Sequence, residues 1–496
     1  MSTGLKENLK DLDRASHLHP FTPPATLSQQ GPSLIAEGKG IYVKDTAGKD
    51  YIDAMAGLWC VNIGWGREEV AEAISAQIKK LAYYHAFAGF GTEPTAELAA
   101  RVLKLLPIPM SKIFFGNSGS DANDSNIKMV WLYNNLRDKP QKKKIIARQR
   151  SYHGVTVVAA SLTGLPHMHK AFDLPLDFVK HTHNPHYYTC APEGMSERDW
   201  SQHLANELEA LILAEGPDTI AAFIAEPLMG AGGVILPPEG YFEAIQPILS
   251  KYDILLIADE VICGFGRLGT WFGSGYYNLK PDIITIAKGL TSGYVPMSGS
   301  IISEKVWDVL VTAESKLGGF NHGFTYSSHP VAAAAGLANL DIMERENLVG
   351  NSQKVGAYFQ RKLREAFSDH PLVGEVRGVG LVAAVEFVKD KAKKTPFDLT
   401  QKVAVRMNKH CLSEGVISRA LPLANAMSFS PPLIITEAEC DEVIARFAKA
   451  LINSLTNLCV KVFGVSFLYK IEGSTTTLIS IDLSPLVLSR GEFLNF

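Results

Sequence analysis

The chain of 496 residues is 46% apolar, enough to bury a large core and to form more than one domain. Its 48 basic residues stand against 51 acidic ones, a net charge of −3 that argues against a nucleic-acid or membrane-surface role. Cysteines Cys60, Cys190, Cys263, Cys411, Cys440 and Cys459 are scattered without a Cys-x-x-Cys pair, so neither a zinc site nor a disulfide framework is expected.

The first twenty residues mix charges of both signs and hold no apolar h-region, and no run reaches the ~18 apolar residues that span a bilayer. A soluble, cytoplasmic protein is expected. Residues up to about 40 are polar and Pro-marked and read as an arm. Residues 40–53 read as a hairpin, two short alternating runs around a Gly-containing turn. Next comes residues 55–64, in which Trp59 reads as core on composition alone. A helix is predicted from Glu68 to Leu81, ahead of an aromatic cluster of Tyr83, Tyr84, His85 and Phe87.

At residues 112–124 a short apolar strand runs into Asn117-Ser118-Gly119-Ser120-Asp121, and a helix follows with Ile127, Val130 and Trp131 on one face. A helix start offers unpaired N–H groups and a positive dipole end, which suits a phosphate, although a plain N-cap has the same look. The lysine-rich stretches 139–144 and 389–394 read as solvated surface. The strand at residues 143–148 leads to Tyr152 and His153. His167, His169, His181 and His183 read as loop histidines, having no carboxylate or thiol at a metal-site spacing.

Three Ile- and Leu-rich runs then end in a charge: residues 219–225 before Glu226, 253–258 before Asp259, and 282–287 before Lys288. Such runs are strands buried on both faces of a parallel sheet, and ligands of open α/β sheets gather at the carboxyl ends of the strands. One acid and one amine on that edge suit pyridoxal 5'-phosphate (PLP), whose aldehyde forms a Schiff base with a lysine and whose pyridine nitrogen is kept protonated by a carboxylate. Gly264-Phe-Gly266-Arg-Leu-Gly269 spells G-x-G-x-x-G after a strand, but a loop follows it, which rules against a dinucleotide site.

Residues 257–269 and 286–293, with Asp259, Val261 and Lys288 among them, closely resemble the class III aminotransferases, which are fold-type I PLP enzymes. The nearest branch is the omega-transaminases that pair amines or omega-amino acids with pyruvate, and the resemblance runs from about His17 to about Leu455. It implies an α/β chain: an N-terminal arm and hairpin (1–60) packed with the small domain, a large PLP-binding domain (61–330) with a mostly parallel seven-stranded sheet, and a smaller α+β domain (331–457). It also implies that Ser118, Gly119 and Ser120 form the phosphate cup, with Asp121 standing where a Glu is usual. Tyr152 would stack on the cofactor ring, with His153, Glu226 and Val261 also around it. Thr325 would reach the phosphate of a neighbouring subunit's PLP, so a homodimer or tetramer with shared sites is implied.

For the substrate, the resemblance points to Trp59, Phe87 and Arg419. Arg419 is suited to clamping a carboxylate in bidentate fashion, and with an uncharged amine donor it would swing out to solvent or pair with an acid such as Glu226. The turn at residues 421–426 is less polar than the family pattern. The implied reaction is ping-pong transfer of an amino group from a diamine, 4-aminobutyrate, β-alanine or an aryl amine to pyruvate or another keto acid, with no metal. A decarboxylase or aminomutase on the same fold, or a catalytically silent PLP-binding protein, is the alternative. The family pattern stops near Asn457. Residues 458–496 read as an altered or appended tail, or else as an oligomer-contact segment, with strand-like stretches such as 477–481.

Overall fold

The computed structural model describes residues 3–463, 469–472 and 475–478. Near the N-terminus, β1 (Ile35–Lys39), β2 (Tyr42–Asp45) and β3 (Asp50–Asp53) form an antiparallel meander, with the hairpin where the alternating pattern puts it. The central sheet contains β4 (Lys112–Gly116), β5 (Lys144–Arg148), β6 (Val179–Thr182), β7 (Ile220–Ala225), β8 (Leu255–Asp259), β9 (Ile283–Ile286) and β10 (Ser298–Ile302). Its order is β4-β10-β9-β8-β7-β5-β6, with β10 antiparallel to both neighbours and the remaining pairs parallel.

The reason these runs form central strands is visible in where each residue goes. Every residue of β7, β8 and β9 is buried. Leu255 and Ile257 join one core with Ile127 and Val130 of the helix Gly119–Leu136. Leu256 and Ala258 join the opposite core with Ile245 and Leu249 of the helix Tyr241–Lys251. A strand with helices on both faces is apolar almost throughout and not at alternate positions, with a polar residue such as Thr285 buried only where it is hydrogen-bonded. At the carboxyl ends of β7, β8 and β9 the chain delivers Glu226, Asp259 and Lys288 to one edge.

The C-terminal part is a second sheet, built from β11 (Val373–Val379), β12 (Val382–Asp390), the short β13 (Thr395–Pro396), β15 (Arg419–Leu421) and β16 (Ala426–Phe429), all antiparallel. Just before β15, β14 (Val416–Ile417) pairs in parallel with β3, so the N-terminal meander and the C-terminal region share a sheet. The terminal helix runs Glu437–Phe463, past the point where the family pattern ends, and Tyr469–Glu472 pairs with Thr475–Leu478. The rest of the expected tail lies outside the described residues.

Two surface readings are corrected. Lys142 is 2% exposed, and its ammonium donates to the carbonyls of Ile220, Tyr252 and Asp253 at 2.9–3.0 Å. Three carbonyls that close a helix end and begin a strand give the buried cation its partners, while burial pushes its pKa down. His181 lies on β6, not in a loop, and its Nε2 meets the Leu162 carbonyl at 3.3 Å. The G-x-G-x-x-G run is indeed a turn, and the next helix is only Gly273–Tyr276. Arg267 inside it is fully buried, donating to Asn62 Oδ1 (2.7 Å) and to the carbonyls of Leu381 and Pro431.

Burial lowers the His181 pKa to about 4, so the ring is neutral in the fold and charges only on unfolding at mildly acidic pH. Its contribution is therefore complete above the ordinary histidine pKa and is lost as pH falls from about 6.5 towards 4, by on the order of 2 kcal/mol. His181→Gln keeps a donor for Leu162 and cannot titrate. The thermal midpoint of the parent should drop more steeply than the variant's between pH 7 and pH 4.5, and parallel curves would show that His181 does not carry this term.

Candidate active site

A cavity of about 310 Å³ opens at the carboxyl edge of the central sheet, and Ser118, Gly119, Ser120, Tyr152, His153, Glu226, Asp259, Val261 and Lys288 all line it. These residues come from four strand ends and one helix start, which is how an open α/β sheet gathers a site from distant sequence.

At one end, Ser118 caps the helix Gly119–Leu136. Its hydroxyl accepts from Asp121 N (3.1 Å), while the Asp121 carboxylate accepts from the N–H groups of Asn117 and Ser118 and from Ser298 Oγ. This closed capping box shows what Asp121 does in place of a Glu: its shorter side chain still reaches back to the cap. The first N–H groups of the helix have no intrahelical partner and carry its positive dipole end. Gly119 keeps this wall open, since a Cβ there would lie 3.1 Å from Val261 Cγ2 and push on that side chain. At Gly154 a Cβ would come within 2.5 Å of Ser120 Oγ, on a backbone at φ 136°.

At the other end, Asp259 is buried and held on both oxygens. Oδ2 accepts from His153 Nδ1 (2.8 Å) and Asn123 Nδ2 (2.9 Å), and Oδ1 from Val261 N (3.2 Å). With Nδ1 donating, His153 Nε2 is left buried without a partner. Glu226 accepts from Tyr152 N (3.1 Å) and Gly230 N (2.8 Å), and burial holds its pKa above the ordinary carboxylate range despite the nearby His153. Each Glu226 oxygen thus accepts from one backbone donor.

Lys288 sits at φ 43°, immediately after β9, and its ammonium makes no hydrogen bond or ion pair among the described residues. Burial lowers its pKa, opposed by the nearby Cys60 and Asp259 and assisted by Arg419. Arg419, on β15, is likewise unpaired among the described residues; burial lowers its pKa and Tyr152 acts in the opposite direction. The unusual turn after it is a tight one, Pro422–Ala424 joining β15 to β16, with Arg419 opposite Ser428.

Neither Arg419 nor the remaining sequence candidates are among the residues that line the cavity. Trp59 is buried behind it, packed in one cluster with Leu228, Leu421 and Ile262, and it is Ile262 that lines the cavity. The neighbouring Cys60 reaches the cavity wall instead, a lone cysteine that carries no motif. Phe87 is half-exposed next to His85. Thr325 is exposed, and its carbonyl accepts from Tyr83 OH at 2.6 Å. Asn123 was also missed: an Asn inside a helix carries no motif until the fold sets it against Asp259.

An unpaired lysine amine, a doubly held aspartate on the adjacent strand, a helix start with free donors and a tyrosine between them fit PLP, its aldehyde, ring nitrogen and phosphate. The fold and site define a fold-type I PLP-dependent enzyme. The chain belongs to the aminotransferase class-III family, whose model matches residues 25–451. It is 52% identical to a diaminobutyrate–2-oxoglutarate transaminase of Halomonas elongata, over 86% of this chain and 91% of that protein. Identity to the chloroplastic gamma aminobutyrate transaminase 3 of Solanum lycopersicum is 46%, over 90% and 87% of the two chains. The crystal structure of an omega transaminase from Pseudomonas jessenii in complex with PMP matches with a TM-score of 0.88 at 47% identity, covering 90% of this chain and 98% of that one. The protein is a PLP-dependent aminotransferase with an amine donor and a keto-acid acceptor. No helix among the described residues is long and apolar enough to cross a membrane.

Proposed function

We propose that the enzyme moves an amino group from an amine or omega-amino acid to pyruvate, in two half-reactions on one site. The observation that carries this reading is one cavity lined by the unpartnered Lys288 amine, Asp259, Tyr152 and the Ser118 cap, with the unpaired Arg419 near enough to act on Lys288 and on Tyr152. Bound PLP supplies a carbonyl that takes up the amino group and a ring that spreads the electron pair left on the substrate carbon. Ser118, Gly119 and Ser120 would hold its phosphate, Tyr152 and Val261 would bound the ring site, and Asp259, oriented by His153, would keep the ring nitrogen protonated. Lys288 would anchor the aldehyde and serve as the base that takes the proton from the amine-bearing carbon. A desolvated lysine with lowered basicity suits that task.

Arg419 is the group for the keto-acid carboxylate, with Trp59 backing the wall at Ile262. Arg419→Ala should cost about 2–5 kcal/mol of apparent pyruvate affinity and leave a simple aryl amine donor little affected. Single-turnover absorbance changes, driven separately by pyruvate and by the amine, decide the matter. Equal losses in both halves, or none in the pyruvate half, would remove Arg419 from the role.

The exposed Tyr84, Phe87, Phe90, Phe320 and Tyr326 support a homodimer in which Phe87 and Thr325 serve the partner's site. In this reading residues 61–330 form the cofactor domain and 331–457 the small domain, and the protein works in the cytoplasm. The relatives are named for different donors and one for 2-oxoglutarate. The test is a donor panel against pyruvate, glyoxylate and 2-oxoglutarate: stoichiometric alanine from pyruvate supports the proposal, and transfer to 2-oxoglutarate alone overturns its acceptor.

A further inference from the structure

The helix that opens at Ser118 also reaches the far end of the cavity. Ser120, Asn123 and Asn126 stand one turn apart on the face of that helix turned to the central sheet. Asn123 is fully buried and uses both amide protons, one on Asp259 Oδ2 (2.9 Å) and one on the His153 carbonyl (2.7 Å). Its own oxygen accepts from the Thr285 hydroxyl at 2.8 Å, and Asn126 Nδ2 donates to that hydroxyl at 2.8 Å. Thr285 lies on β9, in register with Asp259 on β8.

The donors and acceptors around Asn123 favour one arrangement, in which Asn126 Oδ1 alone is buried without a partner among the described residues of this group. Turning the Asn123 amide over would press its oxygen against a carboxylate and a carbonyl, three acceptors with no proton between them. Thr285 cannot donate elsewhere without leaving Asn123 Oδ1 to Asn126 alone, at 3.4 Å. In a buried setting each such lapse is costly, so the chain behaves as a strut with a single setting.

We infer that Asn123, locked by Thr285 and Asn126, is a positioning residue that fixes Asp259 relative to the phosphate-binding end of the same helix. The distance between the two anchor points of the cofactor is then set within one rigid element and not by independent loops. The inference rests on Asp259 being the partner of the PLP ring nitrogen. It assigns Asn123 no contact with the cofactor and no proton to move. Its effect passes through the direction and basicity of the Asp259 oxygen that Val261 N leaves partly open.

The experiment compares Asn123→Leu, Thr285→Val, Thr285→Ser and Asp259→Asn in the full-length protein. PLP affinity is titrated on each cofactor-free form by fluorescence, the pH dependence of the bound cofactor's absorbance is recorded, and kcat and KM are separated. Asn123→Leu is expected to weaken PLP about 10–100-fold, to shift the absorbance titration in the same direction as Asp259→Asn, and to lower kcat with little change in KM. Thr285→Ser keeps the hydroxyl and should stay within about twofold of the parent, whereas Thr285→Val, closer in shape but unable to donate, should lose several-fold. A packing role predicts the reverse order, with Ser worse than Val, and that order would overturn the inference. So would an Asn123→Leu protein with a lowered thermal midpoint but parental affinity and spectrum. If Asp259→Asn alone changes the spectrum, only the strut is refuted; if Asp259→Asn leaves it parental, the ring-nitrogen reading fails and the strut falls with it.

Discussion

Lys288→Ala should still bind PLP, noncovalently, and should lose transamination by roughly four orders of magnitude or more. The phosphate end needs no lysine: the Ser118 cap and the free N–H groups of the helix start hold an anion by themselves. What disappears is the covalent anchor and the amine that carries the proton, and the cavity offers no substitute. Glu226 is buried and spoken for by two backbone donors, and Tyr152 has its pKa raised by burial. Absorbance of the dialysed variant reports retained cofactor, and initial rates with an amine and pyruvate report turnover. Activity within tenfold of the parent would sink the assignment of Lys288.

Asp259→Asn should keep the cofactor and slow the proton-transfer step by roughly 10²–10⁴-fold. The substitution is isosteric, so the donations from Asn123, His153 and Val261 have to be redistributed around an amide that brings protons of its own. Without a negative charge beside it the ring nitrogen loses its proton more readily, and the electron sink weakens. A primary isotope effect on donors deuterated at the reacting carbon should grow as that step becomes limiting. Normal rates would mean that another acid holds the nitrogen, and Glu226→Gln in the same background would then identify it.

The residues that were legible in the sequence are those whose chemistry is local. The strands before Glu226, Asp259 and Lys288 are near-continuous apolar runs, broken within β9 by Thr285, and a strand covered on both faces asks for such a run. The cap at Ser118 and the helix Glu68–Leu81 follow from nearest-neighbour patterns. What the sequence hid is defined by contact between distant segments. Lys142 looks like its half-buried lysine neighbours until two strand starts and a helix end bring three carbonyls to it. Asn123 and Thr285, 162 positions apart, have no motif in common. Trp59 and Cys60 are adjacent, and which of the two meets the cavity depends on a backbone turn at φ 65° that composition does not encode.

The parallel pairing of β3 with β14 has a consequence for synthesis. As the chain leaves the ribosome, β1, β2 and β3 can form their meander at once, but the outer edge of β3 waits until Val416 and Ile417 emerge, after all seven strands of the central sheet. During that interval a nascent polypeptide carries an open strand edge, the kind of surface on which two copies pair wrongly. Closing it is a contact of very long sequence separation, among the slowest to form. Chains cut short before residue 417 should therefore accumulate as aggregates, even though their PLP-binding segment is intact.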